Sequence, residues 1–212
     1  MNRFDRPRQL LAIGLAALAG FVDAFGFLSA DGFFVSFMSG NTTRLAVNLA
    51  GDPRSALLPA LLIVGFVGGV AIGAIVAERA GTRRKVATLQ LVALLLAVSA
   101  LARMMGWHGA MIAALVLAMG ALNNTFRRDG EVAVGLTYMT GALVKLGQAI
   151  AAFAMGKDVR GGTSYFWLWT GLAAGAVCGA LAFFHLPTAA AWIATAWAGA
   201  MALAAAKLPR NS

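Results

Sequence analysis

Hydroxyls, a glycine and a cation occur together twice inside otherwise apolar sequence, and those groups could handle a polar solute within a membrane. The first run is Val35-Ser36-Phe37-Met38-Ser39-Gly40-Asn41-Thr42-Thr43-Arg44-Leu45. The second is Leu136-Thr137-Tyr138-Met139-Thr140-Gly141-Ala142-Leu143-Val144-Lys145-Leu146. They align without a gap at an offset of 101 residues, and over 35–50 four of sixteen positions are identical and six more conservative. Interrupted apolar segments at corresponding places in two halves of a membrane chain mark transporters, whose binding sites are built from such breaks. Ser39, Gly40, Asn41, Thr42, Thr140 and Gly141 are therefore expected to line a path. Ser39-Gly40-Asn41-Thr42-Thr43 is a poor helix interior, so the break is placed there. Arg44 and Lys145 would supply positive field near the midplane, and amide groups at a half-helix start would help them hold an anion.

Asp23 is the one acid within the first apolar segment. An ionised carboxylate in hydrocarbon costs several kcal/mol unless it is paired or protonated. Arg44 is its expected partner, either as a coupled proton or cation site or as a fixed ion pair. At the same offset Asp23-Ala24-Phe25 aligns with Asn124-Thr125-Phe126. The second half then carries an amide in place of the carboxylate, and Asn124 joins the candidate path residues beside Asn123.

Other chemistry finds no foothold. No phosphate-binding glycine loop with Lys-Ser or Lys-Thr occurs, and neither Gly-x-Ser-x-Gly nor His-Glu-x-x-His is present. His108 and His185 have no second ligand at metal spacing, and the single Cys178 lies in an apolar run. No metal, no cofactor and no enzymatic activity are expected. Ser39 or Thr42 beside Asp23 is the only constellation an intramembrane enzyme could use, and it lacks a histidine.

The elements that must position these groups are membrane helices. The chain has 212 residues, 60% hydrophobic and 12% charged, with mean hydropathy +0.80. A soluble domain carries about a quarter charged residues. The net charge of +9 does not indicate nucleic acid, because the cations cluster between apolar runs, where they act as topology signals. Arg3, Arg6 and Arg8 before an apolar stretch imitate a signal peptide. That stretch continues to Leu28 and holds Asp23, so it reads as a retained first helix.

Eight apolar segments are predicted, at about 10–28, 33–50, 55–78, 86–104, 109–126, 132–155, 163–185 and 188–206. The repeat pairs the first four with the last four, as halves of approximately 8–105 and 106–208 within one integral membrane domain. Asp52-Pro53-Arg54 aligns with Asp158-Val159-Arg160. Gly65, Gly69 and Gly73 align with Gly171, Gly175 and Gly179 at an offset of 106. Glycine at every fourth residue bares one helix face for close packing.

The cations favour one topology. If the second and sixth segments enter and return, thirteen Lys and Arg lie on the cytoplasmic side and two outside; if all eight span, nine lie inside and six outside. Six spans with two re-entrant segments place both termini in the cytoplasm and give halves of inverted topology. Eight spans, the alternative, give parallel halves. Segment 132–155 argues for the latter, since 24 residues make a helix of about 36 Å.

Gly20-Phe21-Val22-Asp23-Ala24-Phe25-Gly26-Phe27-Leu28, followed by Phe37-Met38-Ser39-Gly40-Asn41-Thr42, resembles the signature of the YoaK-type family of bacterial membrane proteins. The resemblance covers nearly the whole chain. It implies a bacterial inner-membrane protein with about six spans, with Asp23, Met38, Ser39, Gly40, Asn41 and Thr42 as its motif, and supplies no substrate.

The reading is an all-α polytopic protein of two pseudo-symmetric halves. Its expected function is secondary transport or channel-like passage of a small polar or anionic solute across the bacterial inner membrane. Its expected partners are the lipid bilayer, that solute and, optionally, a second copy of the chain, but not nucleic acid. A non-transporting membrane scaffold and an intramembrane enzyme are the alternatives.

Overall fold

The computed structural model describes residues 5–128, 131–132, 135–137, 139–157 and 162–208. Among the described residues, eight α-helices carry the architecture: α1 (Arg6–Ser29), α2 (Met38–Gly51), α3 (Leu57–Ala80), α4 (Arg84–Met104), α5 (His108–Leu122), α6 (Met139–Ala154), α7 (Gly162–His185) and α8 (Ala190–Ala206). A two-residue antiparallel pair, β1 (Arg127–Arg128) with β2 (Glu131–Val132), follows α5. Among the described residues, three helical stretches are long and apolar enough to cross a bilayer: Arg6–Ser29, Pro53–Met104 and Gly162–His185. The second divides at Gly81 into α3 and α4. Gly81 has φ +52°, a conformation that side chains disfavour and that lets the chain reverse there.

The sequence accounts for the ends of α1. Asp5 accepts the Arg8 amide at 3.3 Å and Pro7 stands in the first turn, a regular N-terminal cap. After Ser29, Asp31 (φ +49°) and Gly32 (φ +84°) turn the chain back. The apolar core sits among α1, α4, α5 and α8. Leu15, Leu18 and Val22 of α1, Leu89 and Leu96 of α4, and Met111, Leu115 and Met119 of α5 are buried, against an alanine stripe on α8 (Ala190, Ala194, Ala198, Ala202). The outward faces of α3 and α7 stay apolar and exposed, through Leu61, Val64 and Val67 on one and Val177, Leu181 and Phe184 on the other. Such a belt suits lipid, not water.

Glycine contacts reveal the helix directions. A Cβ on Gly175 or Gly179 would strike the backbone carbonyl of Ala17 or Phe21, and one on Gly20 would strike that of Leu172. Residue numbers rise together along the contact, so α1 and α7 run parallel. Gly69 meets Leu117, Gly73 meets Ala121 and Gly120 meets Phe66 in the same way, so α3 and α5 run parallel. The Arg103 Nε at the end of α4 donates to the Pro187 carbonyl just before α8, at 2.7 Å. Short turns reverse α3 into α4, α4 into α5 and α7 into α8. Hence α1, α4 and α7 point one way and α3, α5 and α8 the other. It follows that α1 ends and α3 begins at one end of the bundle, while α5 ends and α7 begins at the other.

Three sequence expectations change. The stretch 39–43 is not a break but the first turns of α2; the non-helical segment is 30–37, just before it. Polar residues are well tolerated in a first turn, whose amides have no intrahelical acceptor in any case. The segment at 132–155 is not one 24-residue helix: α6 has 16 residues, about 24 Å. The packing also pairs α1 with α5 at an offset of 100. Position 17 corresponds to 117 and position 21 to 121, so Asp23 corresponds to Asn123 rather than Asn124. The predicted match of Asp52-Pro53-Arg54 to Asp158-Val159-Arg160 falls on residues outside those described.

Candidate functional site

Beyond α1 the chain folds back along it. The amides of Val35 and Ser36 donate to Asp23 Oδ1 at 3.0 and 2.8 Å, and the Ser36 hydroxyl and Phe37 amide face the same carboxyl group. Asp23 lies six residues before the end of α1, so the arm 30–36 descends about 9 Å beside that helix. An intramolecular hydrogen bond contributes roughly 0.5–1.5 kcal/mol net, and leaving a buried backbone amide unpaired costs roughly 1–3 kcal/mol. Asp23 therefore holds the arm against α1.

Asn41, fully buried, closes the arm from the other side. Its Oδ1 accepts the Phe34 amide at 3.0 Å and its Nδ2 donates to the Phe34 carbonyl at 2.7 Å. One side-chain amide thus satisfies both polar groups of a peptide that has no ladder partner. The neighbouring hydroxyls turn inward to their own helix: Thr42 donates to the Met38 carbonyl at 2.9 Å and Thr43 to that of Ser39 at 3.2 Å. No side chain caps the first turn of α2.

The second half repeats the theme with weaker means. Thr137 Oγ1 donates to Asn123 Oδ1 at 3.2 Å, the counterpart of the Ser36–Asp23 pair, and Asn123 Nδ2 donates to Met119 in its own helix at 3.0 Å. Asn124 faces α3, where its Nδ2 donates to the Val70 carbonyl at 3.0 Å beside Gly73. It pins α5 to α3 and takes no part in lining a path.

Where the two motifs meet there is a cavity of about 320 Å³, lined by Ser36, Phe37, Met38, Ser39, Phe66, Thr137, Met139 and Thr140. Of the predicted path residues, Ser39 and Thr140 reach it. Asp23 stands directly behind Ser36, and Asn41 behind the arm. Ser36, Thr137 and Phe66 were not singled out from sequence as path residues, whereas Asn123 was, beside Asn124. The gap-free alignment of Ser36 with Thr137 was the signal for two of them.

The two cations are placed differently from expectation. Arg44 does not pair with Asp23, whose Oδ1 accepts the Val35 and Ser36 amides. Its guanidinium lies over the rings of Phe33, Phe34 and Phe27, at 5.2, 5.7 and 5.9 Å from their centroids. Lys145 donates to the Tyr165 hydroxyl at 3.2 Å and sits over that ring at 4.9 Å. Neither lines the cavity, and they lean toward opposite ends of the bundle. The anion pocket built from the pair is not formed. Aromatic faces replace carboxylates as their partners, each worth roughly 0.5–2 kcal/mol.

Among the described residues, no group of three or more His, Cys, Asp or Glu could hold a metal ion. A helical bundle with a lipid-facing apolar belt and two half-length helices bordering a half-open cavity defines a polytopic integral membrane protein. The chain belongs to the DUF1275 family, described as proteins of unknown function, which matches residues 11–204. This is the YoaK-type family that its motifs resemble, and it places the protein in the bacterial inner membrane as a multi-pass chain. It is similar to the UPF0700 transmembrane protein RA0705 of Rhizobium meliloti (strain 1021), with 38% identity over 211 residues, 97% of this chain and 91% of that one. No solved structure matches.

Proposed function

We propose that this chain is a secondary transporter or channel-like facilitator, passing a small polar or anionic solute through the cavity between the starts of α2 and α6. The observation that carries the reading is convergence: two motifs 101 residues apart bring Ser36, Ser39, Thr137 and Thr140 to one half-open cavity. Hydroxyls can donate and accept, so they suit a solute shedding water. The N-terminal end of α2, which no side chain caps, favours negative or partly negative groups through the helix dipole.

The helix directions support six spans, with α2 and α6 entering from opposite ends without crossing. The halves are then of inverted topology. The described cations support a cytoplasmic N- and C-terminus: Arg6, Arg8, Arg79, Arg83, Arg84, Lys85, Lys157 and Lys207 lie at one end, and Arg54 and Arg103 at the other.

The test is reconstitution of this chain alone into phospholipid vesicles, followed by volume recovery after osmotic shock with glycerol, urea, formate, acetate or nitrate. Faster recovery than in protein-free vesicles for at least one solute, removed by Ser39→Phe and by Thr140→Phe, is the expected result. Recovery equal to that of protein-free vesicles for every solute would reject transport through this cavity.

A further inference from the structure

Among the described acids, Asp23 alone stands more than a turn inside a helix; Asp5, Asp31, Asp52 and Glu78 lie near or beyond helix ends. No described cation pairs with it. Arg44 rests on the rings of Phe27, Phe33 and Phe34, and Arg103 on those of Phe25 and Phe183. The helices packed on α1 bring no other titratable group to it. None occurs in α8, Tyr165 and His185 stand toward the two ends of α7, Cys178 is exposed, and His108 opens α5. The carboxyl group instead meets the amides of Val35, Ser36 and Phe37 and the Ser36 hydroxyl.

Holding the arm does not require a charge at this position. Asn123, the counterpart, takes the Thr137 hydroxyl on its Oδ1 and gives its Nδ2 to the Met119 carbonyl. Ala19 stands where Met119 does, so an asparagine at 23 would find the same acceptor in its own helix. A neutral amide would serve the fold without the cost of a charge in hydrocarbon, and carboxyl groups kept at such places form proton relays. Ser36 supplies the route. Its hydroxyl meets the carboxyl group, and the same residue lines the half-open cavity, whose volume of about 320 Å³ admits water.

We propose that Asp23 is a proton-binding site that exchanges with the cavity through the Ser36 hydroxyl, so that one proton accompanies the solute. The coupling rests on the reading of the cavity as a solute path; the proton site does not. A hydronium in the cavity gives a proton to the Ser36 oxygen as the serine gives its own to the Asp23 carboxylate. Water and a neutral carboxylic acid result, the hydroxyl is restored, and the reverse steps release the proton. The ionised carboxylate accepts the arm's amides more strongly than the neutral acid does. Protonation therefore loosens Ser36 and Phe37, which line the cavity, from α1. Asn123 cannot titrate, so the second half adds no proton. A monovalent anion carried with the proton crosses without net charge.

Time-resolved infrared spectroscopy of the full chain in lipid nanodiscs, after a pH jump, tests the site. The carbonyl stretch of a buried protonated acid should rise when the pH falls, vanish when it is restored, and be missing from Asp23→Asn. Ser36→Val should slow the rise by about tenfold or more, whereas Ser36→Thr, which keeps a hydroxyl, should not. A band that is missing from the wild type, or unchanged at every pH, would overturn the proposal, as would a Ser36→Val rate equal to the wild type. Both Ser36 variants keep Asp23, so they decide the question even if Asp23→Asn fails to fold. The vesicle recovery experiment, repeated with an acid exterior and corrected for protein-free vesicles, reads the coupling separately. Acid should speed recovery with the wild type and leave Asp23→Asn unaffected. Recovery that ignores pH in the wild type rejects the coupling and leaves the transport reading standing. A titrating band without uptake of any of the solutes rejects the transport reading and leaves the proton site standing.

Discussion

The parallel register of α1 and α7 makes a sharp distinction between glycines that look alike in sequence. Replacing Gly175 by Ala puts a methyl group onto the Ala17 carbonyl, a backbone atom that cannot swing aside. The helices must separate by about 1 Å along a face where Gly171 and Gly179 are also close to α1. Overpacking of this kind costs roughly 1–3 kcal/mol. The gain in helix propensity, about 0.8–1 kcal/mol for Gly to Ala, offsets part of it. The net expectation for Gly175→Ala is a destabilisation of up to about 2 kcal/mol, and Gly69→Ala against Leu117 should behave alike. Gly199→Ala, in the middle of α8, meets open space among the described residues, so the propensity gain remains, and the variant should be stabilised by roughly 0.5–1 kcal/mol. Equilibrium unfolding in mixed micelles with increasing SDS, followed by circular dichroism, measures all three. If Gly175→Ala proved as benign as Gly199→Ala, the α1–α7 contact, and with it the assignment of helix directions, would be wrong.

Removing the Asn41 side chain leaves the Phe34 amide and carbonyl unpaired in a buried site, so Asn41→Ala should lose roughly 2–4 kcal/mol in the same assay. Thr42→Ala, which gives up one exposed bond to its own helix, should change stability by less than about 0.5 kcal/mol. For topology, a Cys178→Ala background with a single cysteine at Ser55 or Thr82 is labelled in intact cells with an impermeant thiol reagent; labelling at 55 and protection at 82 are expected, and the reverse pattern would mean that α2 crosses. Arg44→Gln should weaken the fold by roughly 0.5–2 kcal/mol through lost cation–π contacts, and Asp23→Asn should not rescue it, because the two residues form no pair. Additivity in the Asp23–Arg44 double-mutant cycle is the check, and a coupling above about 1 kcal/mol would restore the ion pair.

Sequence read the fold class well because hydropathy reports it directly: a helix that must bury twenty apolar residues leaves an unmistakable run. Most helix ends fall within a few residues of the predicted segments. The site was less legible, for three physical reasons. Asp23 was matched with a cation because charge invites charge, yet its partners are amides of Val35 and Ser36, which every sequence possesses and none displays. The break was sought among Ser39 to Thr43, where helix propensity is poor, but propensity is cheap to override in a first turn. The arm 30–37 reads as ordinary apolar chain until Asn41 is seen to satisfy it. The one-residue difference between Asn123 and Asn124 arose because an alignment anchored on the motif says nothing about how the preceding helices meet.

The crosswise pairing of α1 with α7 and α3 with α5 bears on how the molecule is made. Gly20 finds its neighbour Leu172 about 150 residues further along the chain. When the first helix leaves the ribosome its small-residue face has nothing to pack against, and it waits in lipid while almost the whole protein is synthesised. Neither half can therefore mature alone, for each keeps the partner of the other's first helix. Two separately expressed halves are interlocking pieces of one object, and a chain truncated before α7 leaves α1 as a stranded surface for quality control to recognise.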